Sequence, residues 1–186
     1  MKARIIFVVL FFLSIASYAQ STLYKPFEVD LGLVFAFPTN NDLKLGAGAY
    51  IEPKYNVTDN ISVGFKSEVV IISSREILID GDVVEVSATG VTSFLLTGDY
   101  YFTTTTIRPF VGLGTGVYIL GDIDYVSDAI STAHLGNRFG LAPRAGVVAG
   151  HFRLGLEYNI IPGVEKIKSK DYVGLKIGFE IGGGKK

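Results

Sequence analysis

The sequence predicts an all-β chain: an eight-stranded antiparallel up-and-down transmembrane β-barrel. Three observations carry that prediction. Apolar and polar residues alternate with a period of two in eight long segments between Phe27 and the C-terminus. The composition combines 22 Gly and 12% aromatics, no Trp, only 19% charged residues and a mean hydropathy of +0.39, which is neither helical nor the balance of an ordinary soluble surface. Every formal charge inside the eight segments falls on one of the two alternating faces.

Residues 1–19 read as a secretory signal peptide. Lys2 and Arg4 precede an apolar run from Ile5 to Leu13, and Ser17-Tyr18-Ala19 places small residues before Gln20. The run is about half of the roughly 20 residues a spanning helix needs. Removing Lys2 and Arg4 takes the formal net charge from −1 to −3 and leaves residues 20–186 as a single barrel domain. No later apolar run reaches spanning length, so membrane insertion requires a closed barrel, which satisfies its backbone groups internally. The absence of Cys excludes disulfides, thiolate metal sites and a Cys nucleophile. With 17 basic and 18 acidic residues there is no excess charge to draw in nucleic acid.

In the first segment Phe27, Val29, Leu31, Leu33, Phe35 and Phe37 oppose Glu28, Asp30, Gly32, Val34 and Ala36. The second sets Leu45, Ala47, Ala49 and Ile51 against Lys44, Gly46, Gly48, Tyr50, Glu52 and Lys54. The third sets Ile61, Val63, Phe65 and Val69 against Ser62, Gly64, Lys66 and Glu68. In the fourth, Phe94, Leu96, Tyr100 and Phe102 oppose Ser93, Thr97 and Asp99. Ile107, Val111, Leu113 and Val117 then oppose Arg108, Gly112, Gly114, Gly116 and Tyr118. Phe139, Leu141, Ala145 and Val147 face away from Gly140, Arg144 and Gly146. The seventh pairs Phe152, Leu154, Leu156 and Tyr158 with Arg153, Gly155, Glu157 and Asn159 on the other side. The last pairs Val173, Leu175, Ile177, Phe179 and Ile181 with Tyr172, Gly174, Lys176, Gly178 and Glu180. Each segment is long enough to cross a bilayer at the usual tilt.

A soluble lipocalin-like barrel also alternates, with its apolar face inward. Here the polar faces mix Gly with long charged side chains, which suits a narrow lumen where bulky and absent side chains interleave; on a solvent face the Gly would only weaken strands. The lumen so defined receives Glu28, Asp30, Glu52, Glu68, Asp99, Glu157 and Glu180, together with Lys44, Lys54, Lys66, Arg108, Arg144, Arg153 and Lys176. Seven acids meet seven bases, a balanced network expected to plug the barrel. On a lipid face, each Lys or Arg at mid-depth costs roughly 2–4 kcal/mol. By the same parity, Arg in place of Leu113 is expected to block insertion, and Arg at Gly112 to do less harm. Connection lengths agree: the switch of parity across Gly150-His151 fits a two-residue turn.

Between the third and fourth segments, Ile77, Ile79, Asp80, Gly81, Asp82, Val84 and Val86 form a hairpin signature with Asp-Gly at its tip. Residues 61–102 therefore read as one long hairpin, the natural place for an extracellular protein partner to dock. Residues 121–137 read as an acidic loop with Asp122, Asp124 and Asp128, solvated rather than metal-binding because Gly and Glu do not stand at EF-hand spacing. Gly112, Gly114 and Gly116 form no G-x-G-x-x-G and open no helix, so they read as lumen glycines. The sequons at Asn56 and Asn60 read as turn residues. His134 and His151 fall at opposite ends of one segment and share no site. No cofactor and no metal is expected.

Over about residues 25–181 the chain resembles the OmpA/OmpX-like eight-stranded outer-membrane β-barrel family of Gram-negative bacteria. The resemblance rests on this architecture and on Tyr172, Gly174, Ile177 and Phe179, which are similar to the C-terminal signal read by the barrel-assembly machinery. It departs from that pattern in the residues after Phe179, where family members often stop. It implies outer-membrane lipid and the assembly machinery as partners, and a structural or surface-interaction role, with a small porin-like conduit as the alternative. Some barrels of this size are lipid A deacylases that use a His and a Ser two residues apart. His134 precedes Leu135-Gly136 and His151 precedes Phe152-Arg153, so no enzyme is expected.

Overall fold

The computed structural model describes residues 22–39, 43–74, 78–79, 82–83, 86–126, 129–163 and 170–186. The expected signal peptide, hairpin residues Ile77, Asp80, Gly81 and Val84, and Asp128 lie outside them. The strands are β1 (Phe27–Pro38), β2 (Leu43–Asn56), β3 (Ile61–Ser74), β4 (Leu78–Ile79), β5 (Asp82–Val83), β6 (Val86–Tyr101), β7 (Ile107–Val126), β8 (Ala129–Ala149), β9 (Phe152–Asn159) and β10 (Tyr172–Gly182). Eight of them close into a barrel in the order β1-β2-β3-β6-β7-β8-β9-β10, and β4 pairs with β5 alone. Every neighbour is antiparallel, and β1 seals the cylinder against β10 from Glu28↔Gly182 to Pro38↔Tyr172. This is the up-and-down barrel that the period of two requires. Closure leaves no edge along the paired length, where unsatisfied N–H and C=O groups would otherwise face lipid.

Pleating sorts the two faces as the alternation demands. Along β9 the burial switches at every residue, with Arg153, Gly155, Glu157 and Asn159 inside and Phe152, Leu154, Leu156 and Tyr158 outside. The outer wall carries Leu33, Leu96, Leu113, Phe139, Leu156 and many similar side chains, each half exposed or more. A continuous apolar belt of this kind is far beyond what a soluble monomer presents to water. At the end where the chain termini meet, outward aromatic pairs ring the rim: Phe27–Tyr55 at 5.1 Å, Tyr100–Phe102 at 5.4 Å and Phe152–Phe179 at 5.4 Å between centroids.

The turn between β8 and β9 is the two-residue connection its parity required: Ala149 pairs with Phe152, and Gly150 takes φ +63°, a left-handed conformation that favours Gly. At the opposite end β3 and β6 pair without a break from Ile61↔Tyr100 to Ser73↔Ala88. Leu78↔Val83 and Ile79↔Asp82 pair antiparallel in a separate two-stranded sheet. The loop expected at 121–137 is corrected. β7 and β8 pair up to Val126↔Ala129, and β6 joins them through Val86↔Tyr125, so a three-stranded ribbon stands above the barrel. The acidic positions hid it, because Ile123, Tyr125, Ile130 and Thr132 still supply β-branched and aromatic residues between them. The pairing also survives a register shift between Leu120 and Gly121, where Gly136 adopts φ +90°.

The termini are paired as well. Tyr24 bridges Lys185, Lys25 N–H donates to Gly184 O at 3.0 Å, and Lys186 N–H donates to Leu23 O at 2.9 Å. This segment lies across one mouth of the barrel, with the Tyr24 ring buried beneath it.

Candidate functional site

The lumen of an eight-stranded barrel is just wide enough for its own side chains to fill. Thirteen of the fourteen charged residues assigned to it are buried inside: Glu28, Asp30, Glu52, Lys54, Lys66, Glu68, Asp99, Arg108, Arg144, Arg153, Glu157, Lys176 and Glu180. Lys44 is corrected: its side chain is exposed at the rim. The β2–β3 register shifts between Leu43 and Gly46, and this bulge breaks the strict alternation that would have turned Lys44 inward. The described network therefore holds seven acids and six of the expected bases, and Glu28 is held by a neutral donor, Asn56 Nδ2 at 3.1 Å.

Arg144 and Arg153 are its two hubs. Arg144 grips Glu52 with both terminal nitrogens, at 2.9 and 2.7 Å, and donates from Nε to Asp99 at 2.7 Å. Arg153 takes the other Asp99 oxygen at 2.7 Å, Glu180 at 3.0 Å and Asp30 at 3.2 Å, while its face lies 3.8 Å from the Phe110 centroid. The planar fork of guanidinium allows this multiple bonding, which a single ammonium does not reproduce. Lys54 sits among Asp30, Glu180 and Asp99 at 3.5, 3.6 and 3.8 Å. A second cluster stands further from the termini. There Lys66 and Lys176 share Glu68 and Glu157, with Lys176–Glu157 at 2.8 Å and Lys66–Glu68 at 3.3 Å.

Neutral side chains add further bonds. Tyr172 O–H donates to Glu68 at 2.7 Å, Thr97 O–H to Glu52 at 2.7 Å, Tyr118 O–H to Asn159 at 2.8 Å, and Tyr50 O–H to Asp30 at 3.1 Å. Parity places these residues on the inner face and, apart from the assembly-signal assignment of Tyr172, gives them no role; a polar tip at inward parity is the available signal. Of a further layer the inward parity names only Val34, Ala36, Tyr118 and Tyr172. Val34, Ala36, Val70, Ile72, Val91, Leu95, Leu120, Ala142 and Ile161 form a buried apolar cluster with Tyr118 and Tyr172 on the side away from the termini. The lumen is thus charged below and oily above.

Glycines on the inner face make room for this filling. A Cβ on Gly112 would strike Asp99 Oδ1 and the backbone of Gly98, with Arg144 Nε 3.1 Å away; one on Gly178 would strike Tyr50 Oη and lie 2.5 Å from Asp30 Oδ1. The milder effect expected of Arg at Gly112 is therefore overturned, since any side chain there displaces the network. Gly116 is packed just as closely, with the Phe94 carbonyl 2.1 Å from where its Cβ would stand, and Gly114 less tightly, with Leu95 Cδ1 at 3.2 Å.

The assembly-signal residues divide between the faces. Tyr172 and Gly174 are buried inside, and Ile177 and Phe179 are exposed outside. Of the surface-hairpin residues, Ile79, Asp82 and Val86 have described backbone pairings. His134 lies in β8 opposite Gly121, and His151 lies in the β8–β9 turn with Nδ1 2.9 Å from Glu180 O, so the structure does not bring them together.

No family model matches the sequence, and no curated protein matches it. Solved structures do match. Neisserial surface protein A superposes with a TM-score of 0.62 at 17% identity, covering 86% of this chain and 98% of that one. Ail, the attachment invasion locus protein of Yersinia pestis, gives 0.53 at 12% identity over 84% and 99% of the two chains. The outer membrane protein OprG of Pseudomonas aeruginosa gives 0.52 at 15% identity over 88% and 99%. A closed eight-stranded barrel with an apolar outer wall and a filled, charged lumen, superposing on these over nearly their whole length, has the fold of the OmpA/OmpX-like outer-membrane β-barrels.

Proposed function

We infer that this chain is an integral outer-membrane protein of a Gram-negative bacterium with a structural or surface-interaction role, and that it is neither an enzyme nor a conduit. The observation that carries this reading is the filled lumen: two salt-bridged clusters, an apolar layer above them and the paired termini below. An ion crossing it would have to break buried pairs that have no water to replace them. The work then falls to the outside. The outer wall faces lipid, the C-terminal strand carries the signal for the assembly machinery, and the β3–β6 hairpin with the β7–β8 ribbon faces an extracellular protein partner. The similarity to Neisserial surface protein A and to Ail, named for attachment and invasion, is consistent with a surface role. Ail has also been crystallised with the heparin analogue sucrose octasulfate.

Refolded protein in a planar bilayer is expected to show no discrete conductance steps. Reproducible openings would overturn the plugged lumen and restore the porin-like alternative. The surface role has its own test. Replacing residues 75–86 by a two-residue Asn-Gly turn should leave the barrel folded and inserted, because the membrane strands are untouched, while adhesion to host-cell or bacterial surfaces falls. Unaltered adhesion with a less stable barrel would assign the hairpin a structural task instead.

A further inference from the structure

The buried charges of the described lumen do not balance, and the excess has a definite place. Far from the termini, Glu68 and Glu157 meet Lys66 and Lys176, two acids with two bases. Nearer the termini five acids, Glu28, Asp30, Glu52, Asp99 and Glu180, share four bases, Lys54, Arg108, Arg144 and Arg153. Four of the five acids hold a guanidinium closely: Asp30 has Arg153 at 3.2 Å, Glu52 and Asp99 each have Arg144 at 2.7 Å, and Glu180 has Arg153 at 3.0 Å. Glu28 makes no ion pair among the described residues. It is 2% exposed; Oε2 accepts from the neutral Asn56 Nδ2 at 3.1 Å, and Oε1 meets no donor. The charged groups that face it are Lys54 of β2, Arg108 of β7 and Glu180 of β10. Both cations are engaged elsewhere, Lys54 with Asp30 at 3.5 Å and Arg108 with Glu180 at 3.6 Å. A buried carboxylate that lacks both water and a cation takes up a proton rather than stay charged.

The paired termini are what cover this carboxyl. Gly183 lies directly against it: a Cβ there would strike Glu28 Oε2, and its φ of +60° is one that side chains rarely adopt. Gly183 N–H donates to Phe27 O at 2.9 Å, Lys25 N–H to Gly184 O at 3.0 Å and Lys186 N–H to Leu23 O at 2.9 Å. Asp59 anchors the same segment from the β2–β3 turn, accepting from Thr22 Oγ1 and Leu23 N–H at 2.9 Å each. Apart from the Tyr24 ring, this latch rests on a few surface hydrogen bonds, so it belongs to the part of the molecule that opens first. We propose that Glu28 carries a proton in the closed barrel, and that losing this proton releases the latch formed by the paired termini over it. With the latch open, water hydrates the ionised carboxylate; with it closed, the charge has no partner. Opening therefore releases one proton, and rising pH favours it.

The test compares the full chain with Glu28→Gln, both refolded in zwitterionic micelles. Infrared spectra at neutral pH should show a carboxylic-acid C=O band in the parent that the variant lacks. Hydrogen exchange at the Lys25, Gly183 and Lys186 amides, followed by NMR and corrected for the intrinsic rate, reports the latch. Protection there should fall by up to about tenfold per pH unit in the parent, the slope of one linked proton. Glu28→Gln should flatten that slope and leave the β9 amides as they are. Gly183→Ala approaches the linkage from the other side. It disturbs the latch and lets water reach Glu28, so the acid band should disappear although the carboxyl remains. The absence of a band that Glu28→Gln removes, equal slopes in parent and variant, or an intact band in Gly183→Ala would each overturn the proposal. Neither readout involves conductance or adhesion, so the result stands or falls apart from the surface role.

Discussion

Replacing Arg144 by Ala is expected to lower the free energy of unfolding by about 3–5 kcal/mol, read as a shift of the urea midpoint of the refolded barrel. The guanidinium is buried between Glu52 and Asp99 and supplies three short bonds to them. Its removal leaves two carboxylates, 1% and 2% exposed, facing each other with one fewer cation and no route to water. The penalty comes from those stranded charges more than from the lost attraction. Arg144→Lys should recover part of the loss, because an ammonium restores charge without the bidentate geometry. Added salt should change little, since screening acts on exposed pairs far more than on buried ones. Lys44→Ala is the matched control: that ammonium is exposed at the rim, and the midpoint should not move. An unchanged midpoint for Arg144→Ala would mean that water takes the place of the guanidinium, and the lumen would then be wet.

Leu113→Arg should prevent stable insertion. Leu113 is outward on β7, half exposed, opposite Gly98 on one side and Pro143 on the other. It lies well inside the membrane length of the strand, where Arg on the lipid face costs roughly 2–4 kcal/mol. Ile107 starts the same strand and also faces outward, but it sits at the rim beside the aromatic ring, where the same charge costs about 0–1 kcal/mol. The six residue steps from Ile107 to Leu113 correspond to about 20 Å along the strand. Membrane fractionation and protease resistance of the two variants should therefore differ sharply, with Ile107→Arg close to the parent. Equal partitioning would remove the lipid assignment of this face. Gly112 does not serve as the comparison, because a side chain there collides with Asp99.

The two faces of every barrel strand were readable from residue order alone, because a pleated strand turns successive side chains to opposite sides. That alternation alone assigns Glu157 and Arg153 to the inside and Leu154 and Leu156 to the outside, and with them the strand number and the Gly150-His151 turn. Three things were not readable. Lys44 escaped because a bulge at Leu43–Gly46 changes parity without changing composition. The ribbon at 121–137 escaped because its acids look like solvent signals, although the backbone pairing past the bilayer needs only β-favouring neighbours. The apolar layer of Val70, Leu95 and Leu120 escaped because inward parity says nothing about height along the barrel axis.

Sequence by itself determined the barrel, its eight crossings and the sign of each wall, since these depend on a local period and on the cost of charge in lipid. The tertiary structure decided which acid meets which base. Arg144 reaches Glu52 from 92 positions away, and Lys66 meets Glu157 across 91. Strands that are not neighbours in the sheet meet only because closure folds the wall upon itself, with a stagger set by strand tilt. The same closure sets the heights at which charge, oil and the paired termini stack in the lumen.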